Sequence, residues 1–233
     1  VAHFLADVAG LPVHFAGTVP APGHGVQRLH ASPKESGREL HALLRAAVGA
    51  CAAIRVVDDA SGTGLIEAAG AVRGVEAVVG GALRSFHAAN ILLATGGFAA
   101  SRELLAEFIP GVAGALHIGA GPNDGCAIAW ARRLGADVAM MDGYQGQGHV
   151  NPRGGTRLGM GLPMLGAFMV NRDGRRFVRE DIGPSALAAH VLSQPGGVAL
   201  EVYDLHAHDA AMRQGPYREA WDAGNVMSAP DAA

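Results

Sequence analysis

His149 closes the run Tyr144-Gln145-Gly146-Gln147-Gly148-His149, where small residues surround an imidazole able to donate or accept a hydrogen bond. By residue type, this histidine suits a structural role as well as a functional one. A second chemical signal is Ile91-Leu92-Leu93-Ala94-Thr95-Gly96-Gly97-Phe98. Residues 91–94 suit a buried strand, and Thr95, Gly96 and Gly97 remove side-chain bulk where it would end. In open α/β sheets, ligands bind at the carboxyl ends of strands, and glycines there let a backbone approach a ligand. The plainer alternative is a tight turn. Asp124, within Asn123-Asp124-Gly125, would cap the helix that follows, or accept hydrogen bonds from a polar ligand held by the 91–98 turn. Arg175, Arg176, Arg179 and Glu180 surround Phe177. They fit a charged hairpin face, or a lining for an anionic or carbonyl substrate.

Other chemistries find less support. Gly119-Ala120-Gly121-Pro122-Asn123-Asp124-Gly125 approaches a dinucleotide fingerprint, but its spacing is G-x-G-x-x-x-G and no clear strand precedes it. An NAD-dependent Rossmann enzyme is therefore a weak alternative. His206-x-His208 lacks a third ligand, so no metal site is expected. There is no Gly-x-Ser-x-Gly elbow, His-Glu-x-x-His pair or phosphate loop. Net charge is −3 with no basic run, which leaves nucleic-acid binding without an electrostatic footprint. No apolar run reaches the roughly eighteen residues of a membrane span. Cys51 and Cys126 show no metal-ligand spacing, and a reduced, cytoplasmic compartment is the default.

The elements that would position these groups follow from pattern. Apolar residues make up 49% of the 233 and charged ones 17%, which permits a substantial core. Residues 11–31 read as loop. Ser32, Pro33 and Glu35 form a Ser-x-x-Glu start for a helix whose apolar face is Leu40, Leu43, Leu44, Ala47 and Val48. Residues 54–57 predict a strand, and 65–68, 75–79 and 83–88 a β-meander turning near Gly70 and Gly80-Gly81. The 91–98 strand follows, then a short helix over 102–108, with Ser101 as cap and Pro110 beyond its end. Residues 124–134 predict a helix and 138–141 a strand. Residues 168–170 and 176–178 flank the hairpin turn Asn171-Arg172-Asp173-Gly174. A helix over 186–192 and a strand over 198–203 complete the pattern. The remaining residues carry no clear signal. The glycine-rich stretch 143–166 marks a domain boundary.

Taken in order, these pieces resemble one flavoprotein family: fumarate reductases, succinate dehydrogenase flavoprotein subunits, ketosteroid dehydrogenases and related FAD-dependent oxidoreductases. Four segments carry the resemblance. They are residues 91–98 with Glu103-Leu104 and Pro110; Asn123-Asp124-Gly125 with Leu134-Gly135-Ala136; residues 141–149; and residues 170–180. It extends back through Pro22-Gly23-His24 and Ser36-Gly37-Arg38-Glu39-Leu40. The resemblance implies an α/β fold: part of a Rossmann-like FAD-binding domain with a β-meander over 1–143, then part of an α+β capping domain over 144–233. It implies that Ala94, Thr95, Gly96 and Gly97 line the FAD, that Asp124 and Gly125 contact it, and that Ala60 sits near the adenine. It also implies that His149 faces substrate at the start of the cap, to which the 170–180 hairpin belongs.

The sequence also departs from that family. The N-terminal Gly-x-Gly-x-x-Gly strand that binds the FAD pyrophosphate is absent, as is a C-terminal return segment, so the chain is expected to be a middle slice. Pro184 stands where fumarate reductases carry an arginine general acid, and Met160-Gly161-Leu162-Pro163 replaces their proton relay. The expectation is hydride transfer between flavin N5 and a carbon next to a carbonyl or carboxylate of a small-molecule substrate, with a separate electron donor or acceptor. His149 would donate a hydrogen bond to developing charge, and Tyr144 is a further candidate for proton transfer. The competing expectation is a catalytically incompetent fragment or binding module.

Overall fold

Local signals set where each element begins in the computed structural model, which describes residues 1–16, 25–34, 36–119, 121–159 and 161–229. Contacts divide it into two units, Val1–Leu93 and Ala94–Ala233. In the first, strands β1 (His14–Phe15) and β2 (His30–Ala31) form a short antiparallel pair ahead of helix α1 (Gly37–Ala50). The helix starts later than the Ser32-Pro33 signal predicts. Ser36 is the cap, its Oγ accepting the Glu39 N–H at 3.2 Å, which satisfies one otherwise orphaned donor. Glu35, the other half of the expected box, lies outside the described residues, as does the Pro22-Gly23-His24 match. Leu40, Leu43, Leu44, Ala47 and Val48 form the half-buried face, as their spacing predicts.

The β-meander is present and longer than predicted. Strands β3 (Ala60–Ala68), β4 (Ala71–Val79) and β5 (Ala82–His87) pair antiparallel, with β4 in the middle. The start of β3, Ala-Ser-Gly-Thr-Gly, has the composition of a turn. It pairs all the same, because the register shift between Gly62 and Gly64 absorbs the irregularity. Gly74 lies so close to β5 that a β-carbon there would overlap the Phe86 carbonyl oxygen.

Three predicted strands do not form. Residues 54–57, 91–94 and 138–141 have no ladder among the described residues, and Leu92 is 90% exposed. A strand exists through its partner's hydrogen bonds, and no described segment supplies them here. All described ladders are antiparallel, so the parallel, Rossmann-like sheet is not visible in them.

The second unit builds its core around helices. Helix α2 (Arg102–Phe108) is capped by Ser101, whose Oγ accepts the Leu104 N–H, and helix α3 (Cys126–Arg133) follows the Asn123-Asp124-Gly125 turn. Strand β6 (Phe168–Val170) precedes helix α4 (Pro184–Leu192), and strand β7 (Leu200–Val202) pairs with β6. The expected partner of β6, residues 176–178, contributes only a single bridge, Val170 to Arg176. The turn between them forms as predicted: Asn171 N–H donates to Arg175 O, and Asn171 Oδ1 accepts from the Asp173 and Arg175 N–H groups.

The stretch without a clear signal folds into helices α5 (Leu205–Ala211) and α6 (Gly215–Asp222). Asp204 caps the first by accepting the Ala207 N–H, and Pro216 sits in the first turn of the second. Their buried Ala207, Ala211 and Tyr217 join Leu162 and Ala167 in the core. The Tyr217 hydroxyl is shared with Tyr203 at 2.9 Å and with His208 Nδ1 at 2.7 Å. Burial pushes both phenols above their ordinary pKa. No helix among the described residues is long and apolar enough to cross a membrane.

Glu180 ties the hairpin down. Its side chain is buried, accepts the Met169 N–H at 2.8 Å and forms a two-pronged pair with Arg176 at 3.1 and 2.7 Å. Burial pushes the carboxyl up, but the bonds from Arg176 and Met169 outweigh it and hold the pKa below its ordinary value. A depressed folded-state pKa gives stability that is present above the unfolded value and lost as pH falls through the folded one. We therefore expect this contribution to fade as pH drops below the ordinary 4.5. Glu180→Gln should flatten that part of the acid unfolding curve relative to the parent. Glu180→Ala strands the Met169 N–H and should cost about 1–3 kcal/mol in denaturant unfolding at neutral pH. In the meander, Gly74→Ala should destabilise by about 1–3 kcal/mol, because a backbone oxygen cannot step aside. An unchanged midpoint would show that β4 and β5 can separate freely.

Candidate functional site

Two glycine-bearing turns meet in the second unit. Gly96 has φ of +81°, in the left-handed region that L side chains disfavour, and a β-carbon on it would lie 2.5 Å from Asn123 Oδ1. Ala100 N–H donates to the Asn123 carbonyl at 3.0 Å, which joins the same two segments on the other side. Gly125 has φ of +75°, and its β-carbon would overlap Leu104 Cδ1 and crowd Phe98. Its bare Cα lets α3 start directly against α2. The structure thus brings Thr95, Gly96 and Gly97 beside Asn123, Asp124 and Gly125.

The surface of this junction has consistent chemistry. Ala94, Thr95, Gly96 and Gly97 are exposed, and the backbone N–H groups of Thr95, Gly96 and Gly97 donate to no described residue. A β-carbon at Gly97 would meet nothing, so its outer face is open. Asp124 is also exposed. Its Oδ1 accepts the N–H of Cys126, the first residue of α3, at 3.0 Å, while Gly125 holds the N-cap position itself. That bond, with a further one from the Cys126 side chain, holds the carboxyl below its usual range. A carboxylate acceptor next to free backbone donors, on a surface of small residues, suits a flat polar ligand. Ala60 is placed differently: it opens β3 in the first unit, exposed and in register with Val79.

The second cluster centres on His149. Residues 144–149 lie flush on α4 because Gly146 and Gly148 leave no bulk between them. A β-carbon at Gly146 would lie 2.8 Å from Ala188 Cβ, and one at Gly148 2.8 Å from Leu187 Cγ. Gly146 N–H donates to Ser185 Oγ at 2.9 Å, and the half-exposed Tyr144 hydroxyl donates to Ser185 O at 3.2 Å. His149 is buried at the end of this run. Its Nδ1 lies 3.0 Å from Glu201 Oε1 and 3.1 Å from Oε2, and both side chains are at most 4% exposed.

Neither Glu201 nor Ser185 was singled out from sequence. One signal was available for Glu201: a lone carboxylate between Leu200 and Val202 in an otherwise apolar strand. The arginine-rich hairpin resolves into Arg176 pairing with Glu180 and Arg179 with Asp181 at 2.8 Å. His208 is engaged with Tyr217 and packs against Trp221 in a tilted arrangement, with ring centroids 4.5 Å apart. The dinucleotide-like glycines at 119–125 follow turn and irregular chain and not a strand, so the Rossmann reading of that segment finds no support.

Comparison with known proteins gives the family and the fold likeness of the chain. Fumarate reductase (cytochrome) of Shewanella frigidimarina is 29% identical over 138 residues, 58% of this chain and 24% of the relative. NADH:fumarate oxidoreductase of Klebsiella pneumoniae (strain 342) is 27% identical over 117 residues, 50% of this chain and 13% of the relative. The chain thus spans about a quarter or less of the length of these relatives. Among solved structures, the open conformation of a flavocytochrome c3 fumarate reductase superposes with a TM-score of 0.70 at 23% identity, covering 87% of this chain and 36% of that one. A 3-ketosteroid-delta4-(5alpha)-dehydrogenase from Rhodococcus jostii RHA1 gives 0.53 at 22% identity, covering 81% and 38%. Both are likenesses of fold. The FAD binding domain family matches residues 9–214, nearly the whole chain, and the chain belongs to that family.

Proposed function

We propose that this chain is the FAD-holding and substrate-facing portion of an FAD-dependent oxidoreductase acting on a small carbonyl compound or unsaturated acid. The observation that carries the reading is the junction of the 94–97 and 123–125 turns, within a chain that the FAD binding domain family matches over residues 9–214. The relatives' names supply the substrate class: fumarate is an unsaturated diacid, and a 3-ketosteroid is a carbonyl compound. On this reading residues 1–143 belong to the Rossmann-like FAD domain and 144–233 to the cap.

The residues present fit the cofactor. Gly96 and Gly125 let the two turns adjoin, Gly97 leaves its outer face open, and the N–H groups of Thr95, Gly96 and Gly97, which donate to no described residue, offer donors to flavin oxygens and nitrogens. Asp124 would accept from the cofactor with the carboxylate oxygen not used in capping, and Ala60 would lie by the adenine. Bound FAD supplies hydride exchange at N5 with a carbon adjacent to the carbonyl or carboxylate. This chain's side chains then orient the substrate and manage charge. His149 would donate from Nε2 to the oxygen on which negative charge develops. Tyr144, half-exposed and hinged on Ser185 O, would carry a proton at its hydroxyl.

A second reading, a binding module without turnover of its own, is favoured by the apolar residues exposed along unpaired chain: Ile54, Val56 and Leu92. It predicts self-association and no retained flavin.

Purified protein incubated with FAD and passed through gel filtration should keep flavin absorbance. Gly96→Ala introduces a left-handed alanine, costing about 1–2 kcal/mol, and should weaken FAD binding about tenfold or more. Equal retention by parent and variant would remove the 94–97 turn from the cofactor site. His149→Ala in the flavin-loaded, full-length protein should lower turnover about 10²-fold with little loss of flavin. Unchanged turnover would remove His149 from the mechanism.

A further inference from the structure

The His149–Glu201 pair joins two side chains 52 positions apart, each at most 4% exposed. A carboxylate this deeply buried is strongly unfavourable unless hydrogen-bonded. Among the described residues the one donor offered to Glu201 is the His149 ring. Both carboxylate oxygens lie about equally close to Nδ1, and Oε1 has no other partner among the described residues. Tyr203 and Tyr217 stand near enough to feel the Glu201 charge, but their hydroxyls bond each other. A carboxylate accepts and does not donate. With Glu201 ionised, the ring presents a proton at Nδ1.

The other ring nitrogen has a different environment. No described group hydrogen-bonds Nε2. It is also not one of the sealed, unpartnered polar atoms, which among the described residues are His117 Nε2 and Glu201 Oε1. The rest of the segment is fixed as well: His149 N–H donates to Gln147 Oε1, and its carbonyl accepts the Leu158 N–H. The imidazole is held by backbone on one side and by Glu201 on the other, with Nε2 as its one uncommitted atom.

We propose that Glu201 is a positioning residue for His149, fixing the ring's orientation and its Nδ1–H state so that Nε2 alone faces the substrate. The step rests on the reading of His149 as substrate-facing. A carboxylate behind a histidine sets which nitrogen carries the proton, and so which atom is left to act. With Nδ1 engaged, Nε2 donates when the ring is charged and accepts when it is neutral. The Glu201–His149 bond thus makes Nε2 the site of proton exchange with the substrate.

The test is a long-range proton–nitrogen NMR spectrum of histidine-labelled protein near neutral pH, without flavin, with His149 assigned by its loss in His149→Asn. The expected result is a protonated Nδ1 with slow solvent exchange. Glu201→Ala should shift the ring toward the Nε2–H tautomer or leave Nδ1–H in fast exchange. Glu201→Gln retains an acceptor oxygen and should restore the slowly exchanging Nδ1–H. A purely structural Glu201 would alter thermal stability but not the tautomer. An unprotonated Nδ1 in the parent would overturn the proposal without any variant having to fold, and so would an Nδ1–H untouched by Glu201→Ala. Adding fumarate to flavin-loaded protein separates the two claims. A perturbed Nε2 resonance supports both. A protonated, Glu201-dependent Nδ1 with Nε2 unmoved supports the positioning role and counts against the reading of His149 as substrate-facing.

Discussion

An added β-carbon at Gly96, Gly125, Gly146 or Gly148 would run into the neighbouring segment, and the candidate site of the second unit depends on its absence. At Gly96 and Gly125 the close approach sets one exposed turn beside another, so that backbone donors and a carboxylate share one surface. At Gly146 and Gly148 it lays the 144–149 run on α4 and carries His149 down to β7. Close-packed interiors transmit small changes in volume. A single methyl at these points would separate the very groups that the sequence places far apart.

Buried carboxylates form the second layer of the design. Glu180 fastens the hairpin to β6 through Met169 and Arg176, and Glu201 fastens His149 to β7. The two differ in what they hold. Arg176 is largely exposed, so the Glu180 pair is partly screened and its effect is one of local order. The His149 and Glu201 side chains are both at most 4% exposed, where a hydrogen bond is electrostatically stronger than in water.

Much of this was legible in the sequence where the determinant is local. Ser101 before residues 102–108, Asn123-Asp124-Gly125 before α3 and the Asn171–Gly174 turn each act within four residues, and each appears where its chemistry predicts. The meander was legible from its apolar alternation and glycine turns. One miss is local, since α1 is capped by Ser36 and not Ser32; the rest of what escaped depends on partners distant in sequence. Residues 54–57 and 91–94 have strand composition but no described partner. The start of β3 has turn composition and pairs because β4 supplies the ladder. Helix α5 is built mostly of alanine and histidine and α6 is short and largely polar, but together they bury Ala207, Ala211 and Tyr217 in the core. The candidate cofactor residues were named through resemblance to a flavoprotein family. The structure adds that two of their segments adjoin, and that His149 has a carboxylate partner.

The central claim is that the 94–97 and 123–125 turns form one cofactor-contacting surface. Amide hydrogen exchange with and without FAD tests it most directly, since the Thr95, Gly96 and Gly97 N–H groups have no protein acceptor among the described residues. The account predicts that FAD slows exchange in both turns together. Bound flavin that leaves both turns exchanging as before would contradict it.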